Sequence, residues 1–159
     1  MFEFKEDDKS TVFVSLTDSD NPLSSFSAYA FELDQARWPT VEHYFQAMKF
    51  NSSELRERIR TAPNPAAARQ LARRYFWRMR FDWKRIRETV MTRATYIKCR
   101  SYPDIARALL DTGDNPIIEQ SQYDYYWGRG RDGRGLNTYG KVLMNIRNRL
   151  AMVDRDESS

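Results

Sequence analysis

The chain has 159 residues, 41% hydrophobic and 30% charged, with a net charge of +4 at pH 7. That length and apolar share bury a core and exclude wholesale disorder. No apolar run approaches the ~20 residues that span a bilayer, and one Cys (Cys99) with one His (His43) leave no internal disulfide framework and no ordinary structural zinc site.

The opening MFEFKEDDKS is acidic where a secretory leader is basic and then apolar, so a cytoplasmic protein is expected. TVFVSL (11–16) is β-branched and apolar and predicts a strand. DSDNPLSS is a turn-rich loop. SAYAFEL (27–33) alternates and predicts a second strand, with DQAR as the turn after it. WPTVEHYFQAMKF predicts a helix capped by Thr40, with Val41, Tyr44, Phe45 and Met48 as its apolar face. NSSELRERIR predicts a short helix with Asn51 and Glu54 in capping-box spacing. Asn64 and Pro65 then open PAAARQLARRYF. The longest helix is expected over 82–99, on a stripe of Trp83, Ile86, Val90, Ala94 and Ile97. Ser101 is the expected cap of the next helix, Pro103 lies in its first turn, and Gly113 ends it. NPIIEQ is a short strand candidate. A final helix, TYGKVLMNIRNRL, turns Tyr139, Val142, Leu143, Ile146 and Leu150 inward, and DRDESS is an expected frayed tail. Together these elements predict one α+β domain over 1–159, core about 11–150, mainly helical with a small β-sheet.

Before that last helix stands YDYYWGRGRDGRGLN (123–137), in which Gly128, Gly130 and Gly133 spell G-x-G-x-x-G. A dinucleotide fingerprint needs an apolar strand just ahead of the glycines and an acidic residue about 20 positions on. QSQYDYYW is polar and aromatic, and the segment downstream is the amphipathic final helix, so that reading fails. A phosphate-binding P-loop fails for want of Gly-Lys-Ser/Thr. Two readings stay open: a tight surface turn, or a backbone that approaches a ligand, with Asn137 capping the last helix and its N-terminus open to an anion.

Arginine is concentrated in 56–107 and 129–149, which suits a phosphate, nucleotide or nucleic acid, or solvated helix faces. Glu42, Gln46 and Lys49, spaced i, i+4, i+7, share one helix face and would line a cleft if that face is not simply exposed. His43 lies off this stripe and is expected to be structural. Asp124 sits among tyrosines, where desolvation would favour a proton donor. Trp83 would stack on a base or sugar, or pack in the core. Two carboxylates, aromatic surfaces and arginines are the parts that glycosidic-bond hydrolysis uses.

WPTVEHYFQAMKF (38–50) and DYYWGRGRDGRGLNTYGKVLM (124–144) closely resemble the NADAR family, the YbiA-like N-glycosidases. LSSFSAYAF (23–31) resembles that family's N-terminal L-S-N-F signature, and FDWKRIRETVMTRATYIKC (81–99) its central tryptophan helix. The resemblance runs from about residue 11 to 150. It implies an α+β fold and hydrolysis of N-glycosidic bonds on ribosylated bases without a metal or redox cofactor. It puts the catalytic positions on Glu42, Trp83 and Asp124. Trp127, Gly128 and Asn137 match its glycine-loop motif, and with the helix face and the loop arginines the expected substrate contacts are Ser25, Phe26, Gln46, Lys49, Trp127, Gly128, Arg129 and Asn137. The implied substrates are phosphorylated ribosylamino-pyrimidines or ADP-ribosylated guanine in nucleic acid, with no membrane and no obligate protein partner. A non-catalytic nucleotide-binding module is the alternative from another class. Ser25 stands where the family signature has Asn.

Overall fold

The computed structural model describes residues 10–159. In chain order the elements are β1 (Val12–Val14), β2 (Phe31–Leu33), β3 (Ala36–Trp38), α1 (Val41–Ala47), α2 (Ser53–Arg60), α3 (Pro65–Arg74), a 3₁₀ turn (Phe76–Arg78), α4 (Trp83–Ser101), α5 (Pro103–Leu110), β4 (Ile117–Glu119) and α6 (Thr138–Ser158). This is the expected mainly helical α+β class. Its strands form two pairs, β1 with β4 and β2 with β3. Contacts group the described residues into two compact units, one of residues 25–101 and one that combines 10–24 with 102–159.

In the 25–101 unit the expected strand 27–33 is shortened to β2, and Ala36–Arg37, read as part of a turn, already belong to β3. Asp34 and Gln35 alone make the turn, both with positive φ (53° and 65°), as a tight hairpin between right-twisted strands requires. Phe31 opposes Trp38, and both are buried. Thr40 caps α1 as expected, accepting from the His43 amide. The α2 cap is Ser52, whose hydroxyl accepts from the Leu55 amide, so the capping role expected of Asn51 falls one residue later. Asn64 caps α3 at the Ala67 amide. Helix α4 reaches Ser101, and its buried line is Trp83, Met91, Ala94, Thr95, Lys98 and Cys99. The expected stripe shares only Trp83 and Ala94 with it. The rest of that stripe followed hydrophobicity, and here Thr95 and Lys98 occupy core positions instead.

In the other unit β1 runs parallel to β4, with Val14 opposite Glu119. Ser101 ends α4, bonding back to the Ile97 carbonyl, so it does not cap α5, which opens at Pro103 from Tyr102. Helix α6 buries all five expected residues and continues through 154–158, so the expected frayed tail is helical. Arg147 is 8% exposed and holds the turn before β4 through Thr112 Oγ1 and the Asn115 carbonyl at 2.9 and 2.8 Å.

Candidate active site

Helix α1 is short, and every one of its residues is buried. The reading of one apolar face opposite one polar stripe is therefore corrected: the polar residues are interior too. Glu42 is 1% exposed. Its Oε1 accepts from Gln46 Nε2 (2.7 Å) and Arg69 Nε (3.0 Å), and its Oε2 accepts from Ser25 Oγ (2.9 Å). All three partners donate, which suits a carboxylate, and a buried carboxylate without them would be costly. The bond to Glu42 orients the Gln46 amide, leaving Gln46 Oε1 buried with no hydrogen-bond partner among the described residues. That oxygen is a ready acceptor for an N–H or O–H of a ligand.

Around this carboxylate the unit gathers the other expected residues. The Arg69 guanidinium lies 4.8 Å over the Phe26 ring. Trp83 packs on Phe45, ring centroids 5.0 Å apart, and the Lys49 ammonium sits near both rings at 5.9 and 5.6 Å. Burial holds the Lys49 pKa below its ordinary value, and the Glu42 charge opposes that shift. Trp83 is 5% exposed, so it is a backing wall in this conformation. A base stacked on it would take the place of the Lys49 ammonium. Arg69 is the residue that sequence reading missed. Its signal lies in α3, where Ala68 and Ala72 form the buried face and Arg69 borders it.

His43 is structural, as expected. Its Nε2 meets the Ala62 carbonyl at 3.0 Å, which only accepts, so Nε2 carries the hydrogen. Nδ1 then accepts from the Thr40 hydroxyl at 2.8 Å. Burial lowers its pKa and keeps the ring neutral.

The second group of expected residues lies in the other unit. Asp124 is half-buried, and its Oδ1 accepts from the Tyr126 and Trp127 amides at 3.0 and 2.8 Å. This Asx turn starts the glycine loop. Trp127 meets Tyr126 edge-to-face at 4.8 Å, and the Arg129 guanidinium lies over Phe13 at 5.2 Å. Asn137 has φ +52° and makes no side-chain cap. Its Oδ1 instead accepts from the Glu119 amide (2.8 Å), and its Nδ2 donates to the Ile117 carbonyl (2.9 Å). It thereby completes β4 as a neighbouring strand would. The expected anion site at the start of α6 is also corrected: the Thr138 and Tyr139 amides donate to the Tyr126 and Trp127 carbonyls.

The glycines serve this folding-back. A Cβ on Gly135 would overlap the Gly128 carbonyl, and one on Gly128 would lie 2.5 Å from Glu119 Oε2. Glu119, also missed in the sequence, is fully buried; its Oε1 binds Ser121, and burial raises its pKa.

Comparison with known proteins decides the assignment. The NADAR domain family matches residues 3–151. The chain belongs to the NADAR family. Over 140 residues it is 36% identical to the N-glycosidase YbiA of Escherichia coli strain K12, covering 88% of each chain. Over 128 residues it is 38% identical to a riboflavin biosynthesis protein of Vibrio vulnificus, covering 80% of this chain and 35% of that one. The NMR structure of E. coli YbiA is similar at a TM-score of 0.81 and 34% identity, over 91% of this chain and 86% of that one. Glu42 thus stands at the centre of a buried polar cluster in a NADAR chain.

Proposed function

We propose that this NADAR chain is a hydrolase of N-glycosyl bonds, acting on phosphorylated ribosylamino-pyrimidines, the early intermediates of riboflavin biosynthesis. The observation that carries the reading is the buried Glu42 carboxylate, held by three donors beside Gln46 Oε1, which has no partner among the described residues. The names of the relatives, N-glycosidase and riboflavin biosynthesis protein, support the bond type and the substrate class.

In the proposed reaction the C1′–N bond breaks and its electron pair leaves with the nitrogen. Positive charge develops at C1′ and the ring oxygen. A fixed carboxylate in a desolvated site stabilises that charge without reorganising, which is worth several kcal/mol, on the order of a thousandfold in rate. Water adds to C1′, so the net change puts OH on the ribose and H on the departing nitrogen. Glu42 is the anionic stabiliser and orients the water. Gln46 Oε1 accepts from the substrate, Phe26 and Trp83 are its apolar walls, and Lys49 is its phosphate partner. Ser25 holds Glu42 where the family's Asn stands. Asp124, whose Oδ1 accepts from two backbone amides, is the second proposed carboxylate, to protonate the departing nitrogen or hold ribose hydroxyls. Trp127, Gly128 and Asn137 shape the loop that carries it. The protein works in the cytoplasm on a free metabolite.

A second reading keeps the bond and changes the substrate to ADP-ribose on guanine in DNA or RNA. The basic excess of the chain favours it. The non-catalytic module is the weaker alternative, because binding alone needs no buried carboxylate. Purified protein is given the ribosylaminopyrimidine phosphate in one reaction and guanine-ADP-ribosylated oligonucleotide in another. Release of ribose phosphate in the first is expected. Cleavage of the oligonucleotide alone replaces the substrate, and inertness in both overturns the hydrolase.

A further inference from the structure

Residues 73–87, RRYFWRMRFDWKRIR, carry seven Lys and Arg against one acid, Asp82, more positive excess than the whole chain's +4. Asp82 is taken by Arg80 (2.6 Å) and Arg85 (3.5 Å). Arg73, Arg74 and Arg78 are exposed and pair with no carboxylate among the described residues. Between these cations stand aromatic rings turned to solvent. Phe76 is 67% exposed, Trp77 65% and Phe81 fully so. Burial normally hides such rings, and a folded chain that leaves three adjacent ones exposed keeps an unspent contact surface.

The rings are held in place. Trp77 packs against Tyr75 and Phe76 at 5.6 and 5.9 Å. Arg58 donates to the Tyr75 hydroxyl at 2.9 Å and lies over its ring. The Arg80 amide bonds to the Lys49 carbonyl at 2.8 Å, fixing the ridge to the end of α1. Phe76, Trp77, Phe81, Arg74 and Arg78 have no role in the proposed hydrolysis.

We propose that this ridge binds single-stranded nucleic acid, with bases stacked on Trp77, Phe76 and Phe81 and phosphates met by Arg73, Arg74 and Arg78. Interleaved cations and flat rings are what an unpaired strand offers partners for, since every base has a face and every nucleotide a charge. A duplex hides its base faces, so it meets only the cations. The occupant is a polyanion because, among the described residues, no carboxylate pairs with the exposed Arg73, Arg74 and Arg78. Trp77, Phe81, Arg74 and Arg78 are not among the residues proposed to act in hydrolysis, so strand binding and turnover of a free metabolite are read independently.

The test is fluorescence anisotropy of the full chain with a labelled oligothymidylate of roughly 15–20 nucleotides. Saturable binding is expected at low salt, weakening about twentyfold between 50 and 200 mM as some three phosphate contacts are screened. Trp77→Ala and Phe81→Ala are each expected to weaken it roughly tenfold, and Arg74→Ala with Arg78→Ala to flatten the salt dependence. Turnover of the small substrate should be unchanged in all of them, which also shows the variants to be folded. Absence of binding at low salt overturns the proposal. So does binding that the aromatic variants leave intact, or tighter binding of a duplex of equal length. Binding of phosphatidylserine vesicles without the oligonucleotide would assign the ridge to a membrane surface. Concentration-dependent dimers abolished by Trp77→Ala would assign it to a second copy.

Discussion

Ser25 shows what one side chain does for the carboxylate. It is fully buried, and its hydroxyl is the hydrogen bond given to Glu42 Oε2. Ser25→Ala is expected to leave the fold intact and lower kcat roughly tenfold, the worth of one charge-assisted bond, with KM little changed; steady-state kinetics and circular dichroism read both. His43 sets an acid limit on stability. Its pKa in the fold lies below the ordinary 6.5 because burial disfavours the charged ring. The stability it contributes is complete above about pH 6.5 and is lost as pH falls toward the folded value. Thermal melts from pH 7.5 down to 5 are expected to show part of their decline missing in His43→Gln. Glu119 works in the opposite sense. Its folded pKa is raised, first by burial and also by Asp124, so its contribution is present below the ordinary 4.5 and is lost as pH rises through the folded value. Glu119→Gln keeps an acceptor for Ser121 and is expected to raise the melting temperature at pH 8 but not at pH 4.

At the scale of elements, the join between β4 and α6 carries the glycine loop. Asn137 supplies a donor and an acceptor to β4. Asn137→Ala strands two buried backbone groups and is expected to cost about 2–4 kcal/mol in denaturant unfolding. Gly140 lies inside α6, where Ala would ordinarily stabilise. Here a Cβ would overlap the Ile117 carbonyl and the Asn137 amide, so Gly140→Ala is expected to destabilise. Caps and periodicity made most of the elements legible: Thr40, Asn64 and the inward face of α6 follow from local chemistry. The failures have local causes too. Ser101 resembles a cap, but the backbone before Pro103 continues the longer helix to it. Asn137 resembles a cap, but β4, distant in sequence, claims its amide. The hairpin turn was half hidden because Asp34 and Gln35 adopt positive φ without glycine.

For the whole molecule, charge balance is the property most open to measurement. If the substrate carries phosphate, the basic excess draws it in, and KM is expected to rise several-fold with added salt while kcat holds. The sequence made Glu42 and Gln46 visible as one stripe, because helical spacing alone puts them together; Lys49, read on the same stripe, lies past the end of α1. It did not reveal Arg69, which reaches Glu42 from 27 residues away, nor that Trp83 would be covered by Lys49. Such contacts depend on how helices pack, and spacing along one helix is silent about its neighbours. The glycine loop was legible as a special backbone, yet its glycines make room for carbonyls and for Glu119, which only the folded chain brings to them.

The central claim is that Glu42 is the charge that stabilises the departing sugar, and Glu42→Gln tests it most directly. The amide keeps the volume and removes the charge; it loses the ion pair to Arg69, so a lower melting temperature with an unchanged circular dichroism spectrum is expected. Single-turnover release of ribose phosphate is expected to slow by roughly a thousandfold. A folded Glu42→Gln protein that hydrolyses the ribosylaminopyrimidine phosphate within a few-fold of the wild-type rate would contradict the account.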